Sequence, residues 1–358
     1  MVDLYQRSIQ IILQNQQRSG AYVASPIFPN YKYCWFRDSA FISYSMDLVG
    51  EYQSSQAFHD WAIRTIIRYE SKINKSIQML EKGDFPEDND YFHSRFSLDG
   101  MEKPDDWGHH QLDGLGTWLW SLVQHLSITE QKNISLEYFK AVRLVRDYLM
   151  SFWKYSSYDC WEENPDFVHT YTLAAIYAGL NNIAGFLNDD VSRKTANEVR
   201  NFVLQNAIQN GHFVKYIGSS EIDANLLGLS VPYELIDIRD DIMQKTISLI
   251  EKKLLSPSWG LHRYQSDSYY GGGEWILLST WLGWYYAKTN RLDRSQSILD
   301  WIEKQASRTG ELPEQVKENL LFPAKYKEWE KRWGKIASPL LWSHANYLIL
   351  YKTNNSEK

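Results

Sequence analysis

The sequence predicts an all-α fold, an (α/α)6 barrel, and two observations carry this prediction. Helical periodicity dominates the 358 residues, and segments with an alternating strand pattern are scarce. The predicted helices also alternate in character along the chain. We predict about twelve of them, at 3–17, 37–49, 51–73, 109–126, 136–155, 168–184, 190–210, 222–230, 240–255, 274–288, 292–307 and 339–352.

The odd-numbered helices are charged and amphipathic, as in 136–140 and 240–245, which is typical of helices that face solvent on one side. The even-numbered helices carry little charge and contain small residues, as in 173–180 and 275–283, which indicates burial on all sides. Six outer and six inner helices in alternation are what an (α/α)6 barrel requires. An irregular helical bundle or an α-solenoid is the alternative.

Polar and aromatic motifs stand at the starts of the even-numbered helices. The longest connection predicted to be non-helical is 74–108. The inner helices of such a barrel all run the same way, so their first residues meet at one mouth. We therefore predict a single funnel-shaped site there. The motifs are Arg37-Asp38, Trp107 to Gln111, Glu162-Glu163, Glu221 to Asp223, Gly271 to Trp275, and Glu314-Gln315 with Trp342 to His344.

Two of these motifs place a glutamate beside bulky or rigid neighbours: Glu162 and Glu163 follow Trp161, and Glu314 follows Pro313. Sugar-cleaving enzymes use two opposed carboxyl groups, one to protonate the leaving oxygen and one to activate water or attack. The chain also holds 15 Trp and 24 Tyr, side chains that both stack and hydrogen-bond. Taken alone, each motif could be an ordinary surface loop or helix cap. Their shared position favours catalysis.

The Arg37-Asp38 pair lies among aromatic residues and is interpreted as a polar fork for vicinal hydroxyls, although Asp38 could also serve as a helix N-cap. The run Gly271 to Gly273 lacks the sequel of a phosphate loop and is interpreted as a place where the backbone passes close to a ligand.

Composition and charge exclude several classes. The formal net charge of −6 argues against a nucleic-acid surface. We expect no membrane span and no secretory signal, and hence a cytoplasmic protein. Cys34 and Cys160 give no metal spacing, although one disulfide between them stays open. The histidines are interpreted as pocket lining or core, so no metal and no cofactor are predicted; they are His109, His110, His212, His262 and His344.

The motifs together resemble glycoside hydrolase family 15, the glucoamylase family, in order and across nearly the whole chain. The matching pieces are Trp35 to Asp38, Trp107-Gly108 with Gln111 and Asp113, Trp161 to Glu163, Arg263 with Tyr269-Tyr270 and Gly273 to Trp275, Leu312 to Gln315, and Pro339 to Ala345. The resemblance implies an (α/α)6 barrel that releases glucose from a non-reducing end with inversion at the anomeric carbon.

Carried over position by position, the resemblance implies that Glu162 is the general acid and Glu314 the general base. It also implies contacts to the innermost sugar, aromatic walls and partners of the attacking water. The sugar contacts are Arg37, Asp38, Glu163 and Arg263; the walls are Trp35, Trp107 and Trp275; the water partners are Tyr31 and Gln315.

Many bacterial relatives carry an extra N-terminal β-sandwich domain and fungal ones often carry a starch-binding module, and we expect neither here. We therefore expect one catalytic barrel over 1–358 and a short α-glucoside as substrate. Maltose-like, isomaltose-like and trehalose-like substrates all remain open, as does the oligomeric state. Two rival hypotheses are a catalytically silent sugar-binding or regulatory module on the same barrel, and a different α/α-barrel enzyme such as a sugar epimerase.

Overall fold

Helices account for most of the computed structural model, which describes residues 3–103 and 107–355. Six helices form an outer layer: α1 Leu4–Gln14, α3 Tyr52–Arg68, α6 Leu136–Phe152, α8 Asp190–Asn206, α9 Asp241–Leu254 and α11 Leu292–Gln305. Five form an inner layer together with a 3-10 helix at Ala224–Leu229: α2 Phe36–Leu48, α5 Asp113–Ile128, α7 Thr170–Leu187, α10 Ile276–Lys288 and α13 Leu341–Asn355. Two more, α4 Glu70–Glu81 and α12 Pro323–Trp333, lie in connections.

The inner elements close into a ring. Going round it, α2 packs on α5, α5 on α7, α7 on the 3-10 helix, the 3-10 helix on α10, α10 on α13, and α13 back on α2. The outer helices pack against this ring; for example, α8 lies on α7 and α11 on α10. The predicted barrel and its alternation of outer and inner helices are confirmed.

Small and apolar residues explain why the inner helices lie inside. In α10 every residue from Ile276 to Tyr286 is buried, so no face is left for solvent. Where α5 meets α7, the backbones touch: a Cβ added to Gly116 would lie 2.4 Å from the carbonyl oxygen of Ala175. Only glycine allows this close approach, which sets the spacing of two neighbouring ring members.

The structure corrects three predicted elements. The inner helix predicted at 222–230 is a 3-10 helix of six residues, followed closely by Pro232, which cannot donate to a continuing helix. The helix predicted at 51–73 breaks at Tyr69, and α4 continues into the connection predicted to be non-helical. Helix α12 was not predicted, because none of its residues is buried and no broad apolar stripe marks it.

Three two-stranded antiparallel ribbons complete the described residues, so these contain no separate sheet domain. Strand β1 Cys34–Trp35 pairs with β2 Arg95–Phe96, and β3 Ile208–Gln209 pairs with β4 His212–Phe213. The third ribbon, β5 Glu274–Trp275 with β6 Gln315–Val316, places Trp275 opposite Gln315 and so brings the Glu314 segment to the start of α10.

None of the helices within residues 3–103 and 107–355 has the length and apolar character needed to cross a membrane. That residues 1–358 form one catalytic domain stays a prediction, and its first two and last three residues lie outside the described ranges.

Candidate active site

A cavity of about 420 Å³ is lined by the starts of the inner helices and the loops that precede them. It brings together ten of the eleven predicted site residues: Tyr31, Trp35, Arg37, Asp38, Trp107, Glu162, Glu163, Arg263, Trp275 and Glu314. Five of the six predicted motifs contribute to the lining. The motif at 221–223 does not, because Asp223 lies behind Trp161 and accepts a hydrogen bond from its indole at 3.0 Å.

Glu162 occupies a tight turn with a left-handed backbone, φ 65°. Such a conformation costs a non-glycine residue on the order of 1–3 kcal/mol and persists where neighbours impose it. Here Asp159 imposes it, because its Oδ1 accepts the backbone N–H groups of Trp161 and Glu163, both at 2.9 Å. The turn thereby aims the Glu162 side chain into the cavity, where it is 18% exposed.

Neutral donors hold one oxygen of Glu162. Its Oε1 accepts the indole N–H of Trp35 at 2.6 Å and an amide N–H of Gln111 at 3.0 Å. The Arg37 guanidinium lies 3.8 Å from the same oxygen. Because these contacts converge on Oε1, the carboxyl is fixed in orientation while Oε2 is left to the cavity.

Glu314 lies much deeper, in the segment before β6, and is 3% exposed. Its backbone N–H donates to the carbonyl of Ala337 at 2.9 Å, and its Oε1 accepts the Tyr31 hydroxyl at 2.9 Å. Burial raises the pKa of Glu314 to about 8, against the lowering effect of the Tyr31 hydrogen bond and the Arg263 charge. Oε2 is buried and has no hydrogen-bond partner among the described residues.

Arg37 and Asp38 form the predicted polar fork in the first turn of α2. The Arg37 guanidinium donates to Gln111 and to Asp113, both at 3.1 Å, and its Nε lies 3.6 Å from Asp38. Burial raises the pKa of Asp38 to about 7, although the Arg37 charge lowers it. The helix N-cap is Trp35 rather than Asp38, so the carboxylate of Asp38 lines the cavity instead of capping backbone.

Arg263 forms a second buried cation in the lining of the cavity. Its Nε donates to Asp267 at 2.8 Å, and its NH2 donates to Glu163 at 3.2 Å. The Tyr264 hydroxyl also donates to Glu163. Aromatic rings surround the guanidinium, with centroids 5.1–5.4 Å from its carbon; they belong to Trp161, Tyr264, Tyr269 and Trp275.

The rings of the aromatic walls are inclined to one another. The rings of Trp35 and Trp107 lie 6.2 Å apart at 69°, and those of Trp161 and Trp275 lie 5.3 Å apart. The Arg95 guanidinium packs 3.7 Å from the Trp107 ring centroid and supports that wall from behind.

The eleventh predicted residue, Gln315, is buried but does not line the cavity. Its Oε1 accepts the backbone N–H of Gly273 at 3.0 Å, which ties β6 to β5. The glycine run likewise serves the protein backbone, since a Cβ added to Gly272, at φ 68°, would lie 2.3 Å from the carbonyl oxygen of Asp267.

None of the five histidines discussed above lines the cavity; four are buried, and His212 is half-buried in β4. His344 is the clearest case: its Nδ1 contacts the Ser8 hydroxyl at 2.9 Å, and its Nε2 accepts the backbone N–H of Leu312 at 3.0 Å. Burial lowers the pKa of His344 to about 3, so the ring stays neutral and can accept this bond. It thereby anchors the segment that leads to Glu314.

No group of three His, Cys, Asp or Glu side chains within the described ranges is arranged to hold a metal ion. Cys34 and Cys160 are both buried free thiols.

Sequence reasoning missed several residues of the site. Tyr158, Tyr264, Trp329 and Trp333 line the cavity, and Asp159 and Asp267 hold its carboxylate and its cation. Three of these, Asp159, Trp329 and Trp333, carried a signal in the sequence. Asp159 stands two residues before Trp161, the spacing at which an aspartate side chain accepts a backbone N–H and closes a turn. The aromatic residues Tyr326, Trp329 and Trp333 recur at helical spacing on one side of a polar segment.

Comparison with known proteins agrees with this geometry. Residues 2–352 match the family described as Glycosyl hydrolases family 15. This chain belongs to that family. Isomaltose glucohydrolase from Kribbella flavida is 37% identical over 97% of this chain and 91% of its own length. Among more distant relatives, Trehalase 1 of Sulfolobus acidocaldarius is 23% identical, and the alignment spans 54% of its length.

Solved structures of glycosidases and glucoamylases also resemble this family 15 chain. A glycosidase variant in complex with glucose has a TM-score of 0.94 at 36% identity, covering 98% of this chain and 96% of the other. A bacterial glucoamylase complexed with acarbose has a TM-score of 0.77 at 18% identity, covering 99% of this chain and 56% of the other, and shows the shared fold. The predictions of the family, of a glucoamylase-like barrel and of an exo-acting α-glucosidase are confirmed.

Proposed function

We propose that this enzyme removes one glucose from the non-reducing end of short, isomaltose-like α-glucosides, with inversion, using Glu162 as acid and Glu314 as base. One observation carries the proposal: two glutamates from separate loops line one cavity together with the buried Arg37, Asp38 and Arg263. Inverting hydrolysis needs two such carboxyls, with room for water between one of them and the sugar.

Each residue has a defined part in the reaction. Glu162 gives a proton to the glycosidic oxygen as the bond from that oxygen to C1 breaks. Glu314 takes a proton from water through Oε2, which has no hydrogen-bond partner among the described residues, while the water oxygen bonds to C1 from the opposite face. An α-glucoside therefore yields β-glucose and a leaving sugar with a new hydroxyl, and the proton count balances.

The buried ions suit a neutral sugar. The Nε of Arg37 and one carboxylate oxygen of Asp38 are buried without a hydrogen-bond partner among the described residues, so the pair offers both a donor and an acceptor. Vicinal hydroxyls can use both at once. Arg263 and Glu163 form a second pair of a cation and a carboxylate in the lining.

The pKa of Glu314 makes the assignment of roles testable. A base must be ionised, and burial raises the pKa of Glu314 to about 8. If Glu314 is the base, kcat/KM falls as pH decreases below about 8, because the protonated form cannot accept a proton. If it were the acid, kcat/KM would instead fall as pH increases above that value.

The isomaltose-like substrate is supported by the relative from Kribbella flavida, which aligns over nearly the whole of both chains. The similarity to this relative also supports a small sugar as the molecule that binds in the cavity. The cytoplasmic location is proposed from the sequence alone. Trehalose is kept as a test substrate because more distant relatives are trehalases.

A proton NMR time course on isomaltose, maltose and trehalose tests substrate and stereochemistry together. We expect the β-anomer of glucose to appear first, and isomaltose to be consumed fastest. Initial release of α-glucose would contradict inversion, and faster cleavage of maltose or trehalose would contradict the assigned substrate.

A further inference from the structure

We infer that helix α12, Pro323–Trp333, forms the wall that contacts the leaving group, and that Trp329 and Trp333 select substrates by that group. This inference rests on the proposed function and assigns its specificity to a named element. Both tryptophans line the same cavity as Glu162 and Glu314.

The exposure of the lining residues distinguishes a deep part of the cavity, with the charged groups, from an outer part with the two tryptophans. The charged side chains that could hold the innermost glucose are almost fully buried; Arg37 is 5% exposed and Arg263 2%. Trp329 and Trp333 are only half-buried, and no residue of α12 is fully buried. The tryptophans therefore stand nearer to solvent than the charged groups. In an exo-acting pocket that holds one glucose at its deep end, the leaving part of the glucoside extends toward solvent.

Aromatic contacts hold the two indoles in place. Trp329 lies 5.1 Å from the Tyr269 ring at 71°, and Trp333 lies 6.1 Å from it at 67°. The two indoles are 5.0 Å apart. Tyr269 in turn contacts the Tyr31 hydroxyl at 2.9 Å, and Tyr31 donates to Glu314. The proposed wall is thus built on the residues that hold the base.

The ends of α12 are also fixed. Pro323 occupies the first turn, where a missing N–H costs nothing, and Gly334 ends the helix with φ 90°. The Tyr270 hydroxyl donates to the Gly334 carbonyl at 2.8 Å. A helix anchored at its end and along one face provides a stationary surface for a ligand.

The chemistry of the wall fits a neutral sugar as leaving group. Indole rings offer flat apolar faces for the C–H groups of a pyranose, with an N–H at the edge. Such a surface can contact a second sugar and distinguish its shape and linkage, whereas a small inorganic leaving group would make no contact with it.

Comparing two substrates tests this inference. Isomaltose has a sugar as leaving group, whereas α-glucosyl fluoride has a single fluoride ion. For Trp329→Ala and Trp333→Ala we expect kcat/KM on isomaltose to fall about tenfold each, the loss typical of one aromatic contact. On α-glucosyl fluoride we expect values within about twofold of the wild type, because nothing remains to contact the wall.

Lys327→Ala is the matched control, since Lys327 is exposed on the same helix and does not line the cavity. It should leave both substrates unchanged, and thermal melts of all variants report folding. Equal losses on both substrates, or no loss on either, would overturn the inference while leaving the proposed function intact. If the wild type released no glucose from either substrate, the proposed function would fall and the inference with it.

Discussion

Glu162 and Glu314 line one cavity, yet the two sides of the pocket hold their carboxyls differently. Glu162 sits in a strained turn, is partly exposed, and receives neutral donors on Oε1. Glu314 follows Pro313 just before β6, is almost fully buried, and its Oε1 accepts the Tyr31 hydroxyl. An acid must reach a leaving group that enters and departs through the mouth, whereas a base needs only one water molecule. The difference in depth matches this division of labour.

Replacing either carboxyl group by an amide should give the greatest loss of activity. We expect Glu162→Gln to lower kcat/KM on isomaltose by about 10²–10⁴-fold, the usual contribution of acid catalysis. On α-glucosyl fluoride the same variant should stay within about tenfold of the wild type, because fluoride leaves without a proton. Glu314→Gln should lose turnover on both substrates, since both need an activated water.

Glu318→Gln is the control for these variants, because this exposed glutamate lies four residues from the proposed base. It should change neither rate. If Glu314→Gln kept its activity on α-glucosyl fluoride and Glu162→Gln lost it, the roles of the two residues would be exchanged.

The turn that carries Glu162 gives the next largest effect. Asp159→Ala removes the acceptor of two backbone N–H groups, so the left-handed conformation of Glu162 is no longer imposed. We expect kcat on isomaltose to fall by about tenfold to a hundredfold, because a displaced acid loses its alignment. Asp159→Asn keeps an oxygen at the same place and should lose much less. Equal losses for the two variants would show that the charge matters rather than the acceptor.

The barrel could be predicted from the sequence because helices that are buried on all sides contain few charged residues. Segments such as 173–180 contain no charge, and the alternation with charged helices repeats along the chain. The short inner element at 222–230 and helix α12 were harder. The first is stopped by Pro232, and no residue of the second is buried, so neither shows a full helical stripe.

The lining of the site was also largely predictable, because each motif precedes an inner helix and inner helices begin at one mouth. Distances through space were not. Nothing in the sequence indicates that Tyr264 meets Glu163 or that Arg95 lies behind Trp107. Gln315 shows the opposite error: its position beside Glu314 suggests a water contact, but strand alternation turns it toward Gly273.

The hydroxyl on the Glu314 side gives a smaller effect with a definite sign. Tyr31→Phe removes a hydrogen bond that lowers the pKa of Glu314, so that pKa should rise. The base is active when ionised, and the acidic limb of the kcat/KM profile should therefore move to higher pH by about one unit. Measured at pH 6, the rate should fall about tenfold, while well above pH 8 it should approach the wild-type value. A loss that is constant with pH would mean that Tyr31 only shapes the cavity.

Removing the Tyr269 hydroxyl, which contacts the Tyr31 hydroxyl, should change the pH profile less than Tyr31→Phe does. Tyr269 contacts the Tyr31 hydroxyl at 2.9 Å, and its hydrogen bonding also lowers the pKa of Glu314. Tyr269→Phe should thus move the acidic limb the same way as Tyr31→Phe, but by less, about half a unit, because the Tyr31 bond remains. Tyr270→Phe is the control, since that hydroxyl donates to Gly334 and not to Tyr31. A shift equal to that of Tyr31→Phe would mean that the Tyr269 hydroxyl stabilises the ionised base as much as the Tyr31 hydroxyl does, and the Glu314 side of the pocket would then depend equally on the α12 wall.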